Sequence, residues 1–264
     1  MNSDIVEGNQ RNGIRMNSFR LVLLDYAKNQ LENPLVQKIL GDLIVVKQKN
    51  FERTDENYVV VDKHDMIGTH ALVYDTSNLY EPKLIFAIRL TYEERALKHR
   101  LKTPLQELIP SLDNKCRERL IEYCNQHTQL IDCNSWFVDV NYSQKNSGLR
   151  LSDIGFVMVC LHLIRMKFDY MAGCTNEKYK AHRWLENIGG FSKEYTFTHP
   201  VVPDEHMLVL IEKFNLPYIQ SVYRSNKALF DSLLEVTPKN ANYSNIAETI
   251  STNFSEFTTA KISA

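Results

Sequence analysis

The chain lacks a disulfide framework: its five cysteines are odd in number and no two form a C-x-x-C pair. Cys116, Cys124, Cys133, Cys160 and Cys174 instead read as reduced thiols of a cytosolic protein, three of them within apolar periodic segments. Long apolar runs are missing too. The longest, from Ile154 to Ile164, contains His162 and falls short of the roughly 20 residues a membrane-spanning helix needs. The first residues are polar (Asn2, Ser3, Asp4, Glu7) and carry no apolar stretch of the signal-peptide kind. A soluble, cytoplasmic protein without integral membrane association is expected. There is no excess of either charge: Lys plus Arg number 31 against 32 for Asp plus Glu. That balance supplies no global field for a polyanion, so no nucleic-acid partner is expected. The histidines show no metal-ligand spacing; His64 and His70 flank an expected turn and His162 lies on an apolar helix, so no metal is expected. No G-x-S-x-G elbow is present, which argues against a covalent serine mechanism.

What is present is an ordinary globular core, with hydrophobic residues at 44% and charged residues at 24%. Residues 1–16 read as disordered, 17–236 as one domain and 237–264 as a flexible polar tail. Residues 17–40 carry mainly helical spacing, broken near Pro34. Thr69 to Tyr74 and Leu84 to Tyr92 read as strands, and Asp113 to His127 as a helix with a stripe of Cys116, Leu120, Tyr123 and Cys124. Leu130 to Tyr142 is strand-like, followed by a polar loop from Ser143 to Leu151. A helix capped by Ser152 or Asp153 runs to about Phe168, Tyr170 to Cys174 is a short strand, and Glu177 to Asn187 a helix stopped by Gly189 and Gly190. Lys193 to Thr198 and His206 to Glu212 read as strands, and Pro217 to Glu235 as helix.

The strand–loop–helix–strand–helix run over 130–191 is a βαβα unit, whose two strands should be parallel and connected right-handedly. A loop that leaves a strand and opens a helix presents unpaired N–H groups at the positive end of the helix dipole, a geometry that binds phosphate. Lys145, Gly148 and Arg150 suit such a site, with one residue that permits close approach and two cations.

Gln144–Lys145–Asn146–Ser147–Gly148–Leu149–Arg150 resembles the pyrophosphate loop of the GNAT acyltransferases, with Lys145 at its first position, Gly148 at its first glycine and Arg150 replacing the second small residue. Ala181 and Gly189 match the spacing of the family's following helix, where Lys178 stands for the usual Asn and Leu185 for the usual general-acid Tyr. Phe86 to Leu90, Thr103 to Pro110 and Ser135 to Asp139 resemble the layout of N-acyl amino acid synthases, which are related to acyl-homoserine-lactone synthases. The resemblance implies an α+β fold (an α/β/α sandwich): a mixed, mostly antiparallel GNAT-type sheet with a central parallel strand pair, flanked by helices.

It also implies a donor, acetyl-CoA or acyl-CoA or an acyl carrier protein, and an amine acceptor, with an amino acid as the finer reading. Donor binding would fall to the backbone of Val138 and Val140 and to the loop Lys145, Asn146, Ser147, Gly148, Leu149 and Arg150. Asp132 or Asn134 falls at the family's strand Glu, Trp136 or Phe137 at its Arg, and Tyr179 is placed to substitute as acid. Arg89, a charge among apolar strand neighbours, is either an ion-pair partner or the holder of a substrate carboxylate; Trp136 is its companion in substrate binding. Arg95, Lys98, Arg100 and Lys102 form a basic run suited to an acidic carrier protein or to solvent. The expected activity is direct attack of the amine on a thioester; the alternative is a non-catalytic CoA-binding or interaction protein on the same scaffold.

Overall fold

The computed structural model describes residues 18–51, 62–78, 80–142, 150–179, 182–190, 193–200 and 204–238, with only the backbone of Phe51 and Tyr179. Lys145, Asn146, Ser147, Gly148, Leu149 and Ala181 lie outside the described residues, as do 1–16 and most of the tail. Strand β1 (Phe19–Asp25) and helix α1 (Pro34–Phe51) replace the helical reading of 17–40. Every residue of β1 except Arg20 is buried. A strand covered on both faces loses its alternation, so its apolar run does not declare a period of two.

Helix α2 (His64–Ile67) leads into β2 (Thr69–Asp75) and β3 (Lys83–Tyr92), the expected hairpin. Helices α3 (Glu93–Lys98), α4 (Pro104–Leu108) and α5 (Asn114–Gln126) follow. Thr103 caps α4 in a capping box with Gln106, and Asp113 caps α5 through the Cys116 N–H. The strand expected over 130–142 is shorter: β4 (Ile131–Val138) ends where Asp139 pairs with Lys83 at 2.7 Å and accepts the Asn141 N–H, turning the chain into a 3-10 turn over Val140–Tyr142.

Helix α6 (Leu151–Arg165) and strand β5 (Met171–Asn176) complete the crossover. Neither Ser152 nor Asp153 caps α6; the N-cap is Arg150, without a side-chain cap bond, and both expected caps are buried in the first turn. Where a helix is expected over 177–187, the described residues form a 3-10 turn over Glu177–Tyr179 and α7 (His182–Ile188). Strands β6 (Thr196–Thr198) and β7 (Glu205–Ile211) come next. The final helical reading is corrected: α8 (Leu216–Ser225) and α9 (Lys227–Asp231) are followed by a third element, strand β8 (Leu234–Val236). Three residues are too few to show a period, and β8 exists because β1 offers it an edge.

The sheet order is β6-β7-β5-β4-β3-β2-β1-β8, antiparallel except for the pairs β4–β5 and β1–β8. One face is covered by α1, whose Val36, Ile39 and Leu43 pack with Val22, Leu24, Leu72 and Ala87. Against the other lies α6, buried from Leu151 through Leu163 as befits a helix apolar nearly all round. Gly155 lets it sit flat on β3: a Cβ there would lie 2.1 Å from the Phe86 ring. Each fully buried side chain of this layer, such as Phe156, contributes about 1.5–3 kcal/mol. These packings deliver a sandwich in which the parallel pair sits mid-sheet, with α6 opening beside its far end.

Candidate functional site

Strands β4 and β5 pair only briefly, Asp132 with Ala172 and Cys133 with Gly173, and then part. Beyond that point β4 bulges: Ala87 faces Phe137 and Arg89 faces Asn134, so Ser135 and Trp136 together oppose Ile88. Ser135 takes a left-handed φ of 52°, which costs a non-glycine residue roughly 1–2 kcal/mol. A bulge of this kind interrupts the ladder and turns backbone groups away from the neighbouring strand. The paired residues Val138 and Phe86 close the strand, whereas Val140 lies past it in the exposed turn.

Gly155 of α6 meets Phe86, the partner of Val138, so α6 opens near the end of β4, and its earliest N–H groups have no intrahelical acceptor. The Arg150 side chain is exposed and its guanidinium lies 3.7 Å from Asp153. Asp153 is buried, and that burial raises its pKa above the ordinary carboxylate value. An anion arriving here would compete with Asp153 for Arg150.

The other face of β3 and β4 carries a buried polar cluster. Arg89, 2% exposed, donates from Nε to Asn134 Oδ1 at 2.7 Å and from Nη1 to Asp62 Oδ2 at 2.5 Å and Asp65 Oδ1 at 2.7 Å. Lys47 of α1 reaches the same Asp65 oxygen at 2.5 Å. His64 bridges Asp62 at 2.9 Å and the Lys102 carbonyl at 2.8 Å. Burial opposes charge on His64, but the Asp62 hydrogen bond and the Lys102 carbonyl raise its pKa. Burial also opposes charge on Asp62, yet the bonds from His64 and the Arg89 guanidinium hold its carboxyl far below the usual range. His70, bonded to the Asp65 carbonyl at 2.9 Å, is pushed down to about 4 by burial. Asp132 is 1% exposed, its pKa is raised by burial, and its Oδ2 accepts the Leu105 N–H at 2.6 Å. Its carboxylate thus also serves the start of α4. Asn134 Nδ2 donates to Thr91 Oγ1 and to the Asp132 carbonyl.

The structure therefore gathers Arg89, Asn134 and Asp132 on one stretch of the β3–β4 ladder. Trp136 is directed elsewhere: its ring meets Phe156 of α6 and Trp184 of α7. Tyr179 ends the turn whose Glu177 and Lys178 line a polar cavity of about 470 Å³, shared with Asn176, His182 and Asp204. Arg95 leaves the expected basic run, because it is bound to Asp25 at 2.6 Å and stacked on Tyr26 and Tyr92. Asp62, Asp65 and Lys47 were missed. The signal for the two acids was physical: an arginine inside an apolar strand needs carboxylates, and Asp62 and Asp65 stand three apart just ahead of the neighbouring strand.

No protein-family model and no curated protein matches the chain. Solved structures do. A CoA-dependent acyl-homoserine lactone synthase, BjaI, with SAM and isopentyl-CoA, is 10% identical with a TM-score of 0.52, covering 88% of this chain and 99% of that one. An N-acyl amino acid synthase from uncultured soil microbes, FeeM, is 10% identical with a TM-score of 0.47, covering 73% and 90%. A second CoA-dependent acyl-homoserine lactone synthase, MesI, is 11% identical with a TM-score of 0.49, covering 79% and 95%. Among the described residues, the eight-stranded mixed sheet, its parted parallel pair and the likeness to BjaI identify a GNAT-like α/β fold, in the form seen in that acyl-homoserine lactone synthase.

Proposed function

We propose that the chain is an N-acyltransferase that moves an acyl group from a CoA or carrier-protein thioester to a primary amine, that of an amino acid in the finer reading. The observation that supports this is the parting of β4 and β5 after the Cys133–Gly173 pair, together with the bulge at Ser135 on β4 and the first turn of α6 at Arg150. In this reading the donor's arm lies along β4, the phosphates meet Arg150 and the loop that precedes it, and a bulge N–H polarises the thioester carbonyl. The amine must lose a proton before it attacks. Asp132 and Asn134, on the Arg89 face, are the proposed groups to take that proton, and Tyr179 remains the proposed acid for the leaving thiolate.

The saturation of Arg89 favours one rival reading. Its bonds to Asp62, Asp65 and Asn134 give it a structural task, and a substrate carboxylate would have to displace one of them. A non-catalytic CoA-binding or interaction protein would need nothing further from it. Two measurements separate the readings: thermal shift with CoA, acetyl-CoA and palmitoyl-CoA, and release of CoA thiol in the presence of amino acids. Stabilisation with turnover supports the enzyme, and stabilisation without turnover on any acyl donor supports the binding protein. Absence of both, for CoA and for acylated carrier protein, sinks the thioester site. Gly148→Trp in the preceding loop is expected to abolish the CoA shift.

A further inference from the structure

Both tryptophans of the chain, Trp136 and Trp184, meet at one place. Trp136 follows the bulge of β4, Trp184 lies on the helix that follows β5, and their ring centroids are 5.6 Å apart at an interplanar angle of 78°. Phe156 of α6 meets the Trp136 ring edge-to-face at 5.2 Å. This contact therefore joins elements on either side of the parted strands. Edge-to-face packing on two sides fixes the Trp136 ring more firmly than burial alone would.

The fixed ring carries an unusual atom. Trp136 Nε1 is buried, and no hydrogen-bond acceptor reaches it among the described residues. A buried indole N–H without an acceptor is costly, and buried polar groups are satisfied in the great majority of cases. The nitrogen is shielded as the rings stand, and the cost is avoided when a ligand that parts the packing beside the ring supplies the acceptor. Phosphate is an unsuitable acceptor here, since the aromatic wall offers no cation. An amide carbonyl on a slender, mostly apolar arm fits both the donor and the wall.

We propose that Trp136 is a donor-binding residue whose indole N–H donates to an amide carbonyl of the pantetheine arm, with Trp184 and Phe156 holding the ring in position. The proposal rests on the acyltransferase reading of the parted strands and adds to it a side-chain contact to the arm.

The test uses the full chain and two probes, CoA and adenosine 3′,5′-bisphosphate, which keeps phosphates and base but lacks the arm. In Trp184→Phe, Trp136 is the single indole, and its emission reports on its own surroundings. CoA is expected to shift that emission and the bisphosphate to leave it unchanged. Trp136→Phe, which keeps the ring packing, is expected to weaken CoA roughly three- to tenfold, the range one hydrogen bond supports, with bisphosphate affinity unchanged. Undiminished CoA affinity in Trp136→Phe, equal loss of both ligands, or equal emission shifts with both would overturn the proposal while leaving the phosphate end intact. Failure of the unmodified chain to bind CoA, 4′-phosphopantetheine and acylated carrier protein alike would overturn the acyltransferase reading, and the proposal with it.

Discussion

Gly173 and Cys133 touch where the parallel strands part: a Cβ on Gly173 would come within 2.4 Å of the Cys133 carbonyl oxygen. The neighbour is backbone, so relief requires the strands themselves to move. Gly173→Ala is therefore expected to destabilise the fold by about 1–3 kcal/mol, the usual cost of overpacking. Gly41 on exposed α1 has nothing within 4 Å of its added Cβ, and Gly41→Ala should stabilise by about 0.5–1 kcal/mol. Urea denaturation of the two variants would show opposite signs; equal signs would mean the strand contact is not tight.

Removal of Arg89 leaves Asp62 and Asp65 without their shared guanidinium. Arg89→Met is expected to cost about 3–5 kcal/mol, the range for breaking a buried ion pair from one side. The triple change Arg89→Met, Asp62→Asn, Asp65→Asn should recover much of that loss. Denaturation midpoints decide the matter, and an Arg89→Met variant within 1 kcal/mol of the parent would show that water reaches the cluster (a threshold well under the about 3 kcal/mol expected).

Acid should weaken the fold in two stages. Burial pushes His70 down to about 4 and His162 to about 3, so the folded state keeps both neutral where the unfolded chain binds protons. Stability contributed by each is present above the ordinary value of about 6.5 and lost as pH falls below it, with a limiting slope of about 1.4 kcal/mol per pH unit. Asp62, held low, adds a further loss below about 4. His64 acts in the opposite sense: its raised pKa gives stability that is complete below about 6.5 and lost as pH rises through the folded value. His70→Asn should flatten the acid limb in unfolding free energies measured from pH 7 to 5.

Asp153 and Arg150 offer a functional prediction. With Asp153 buried beside Arg150 at the proposed phosphate end, Asp153→Asn should tighten CoA several-fold, and Arg150→Ala should loosen it by a similar factor. A charge contact at a helix N-terminus supports changes of about 0.3–1 kcal/mol, or two- to fivefold. Calorimetric titration would read both; an effect of the same sign in the two variants would contradict a shared anion site.

Much of the scaffold could be read from residue patterns. The hairpin of β2 and β3, helix α5 and the β4–α6–β5 crossover all followed from period and apolar runs. The misses share a cause. β1 is covered on both faces, and β8 is created by a partner more than two hundred positions earlier, as in the pairing of Val22 with Leu234. The bulge at Ser135 was equally hidden, because its left-handed backbone falls on a serine rather than a glycine. At the site, Arg89 and Asn134 were named and do touch, but their partners Asp62 and Asp65 come from a segment with no apolar pattern to mark it.

The pairing of β8 with β1 has a consequence for how the molecule is made. Gln30 donates to the Val236 carbonyl and Arg165 binds Glu235, so the last strand is tied to both layers. Until residue 236 has left the ribosome, the apolar first strand must wait with one hydrogen-bonding edge unpaired. Contacts of such long sequence separation close late. The nascent chain is therefore open to intermolecular strand pairing along β1 until Leu234–Val236 emerges, and a chaperone that shields Phe19–Asp25 over that interval would raise the yield of native protein.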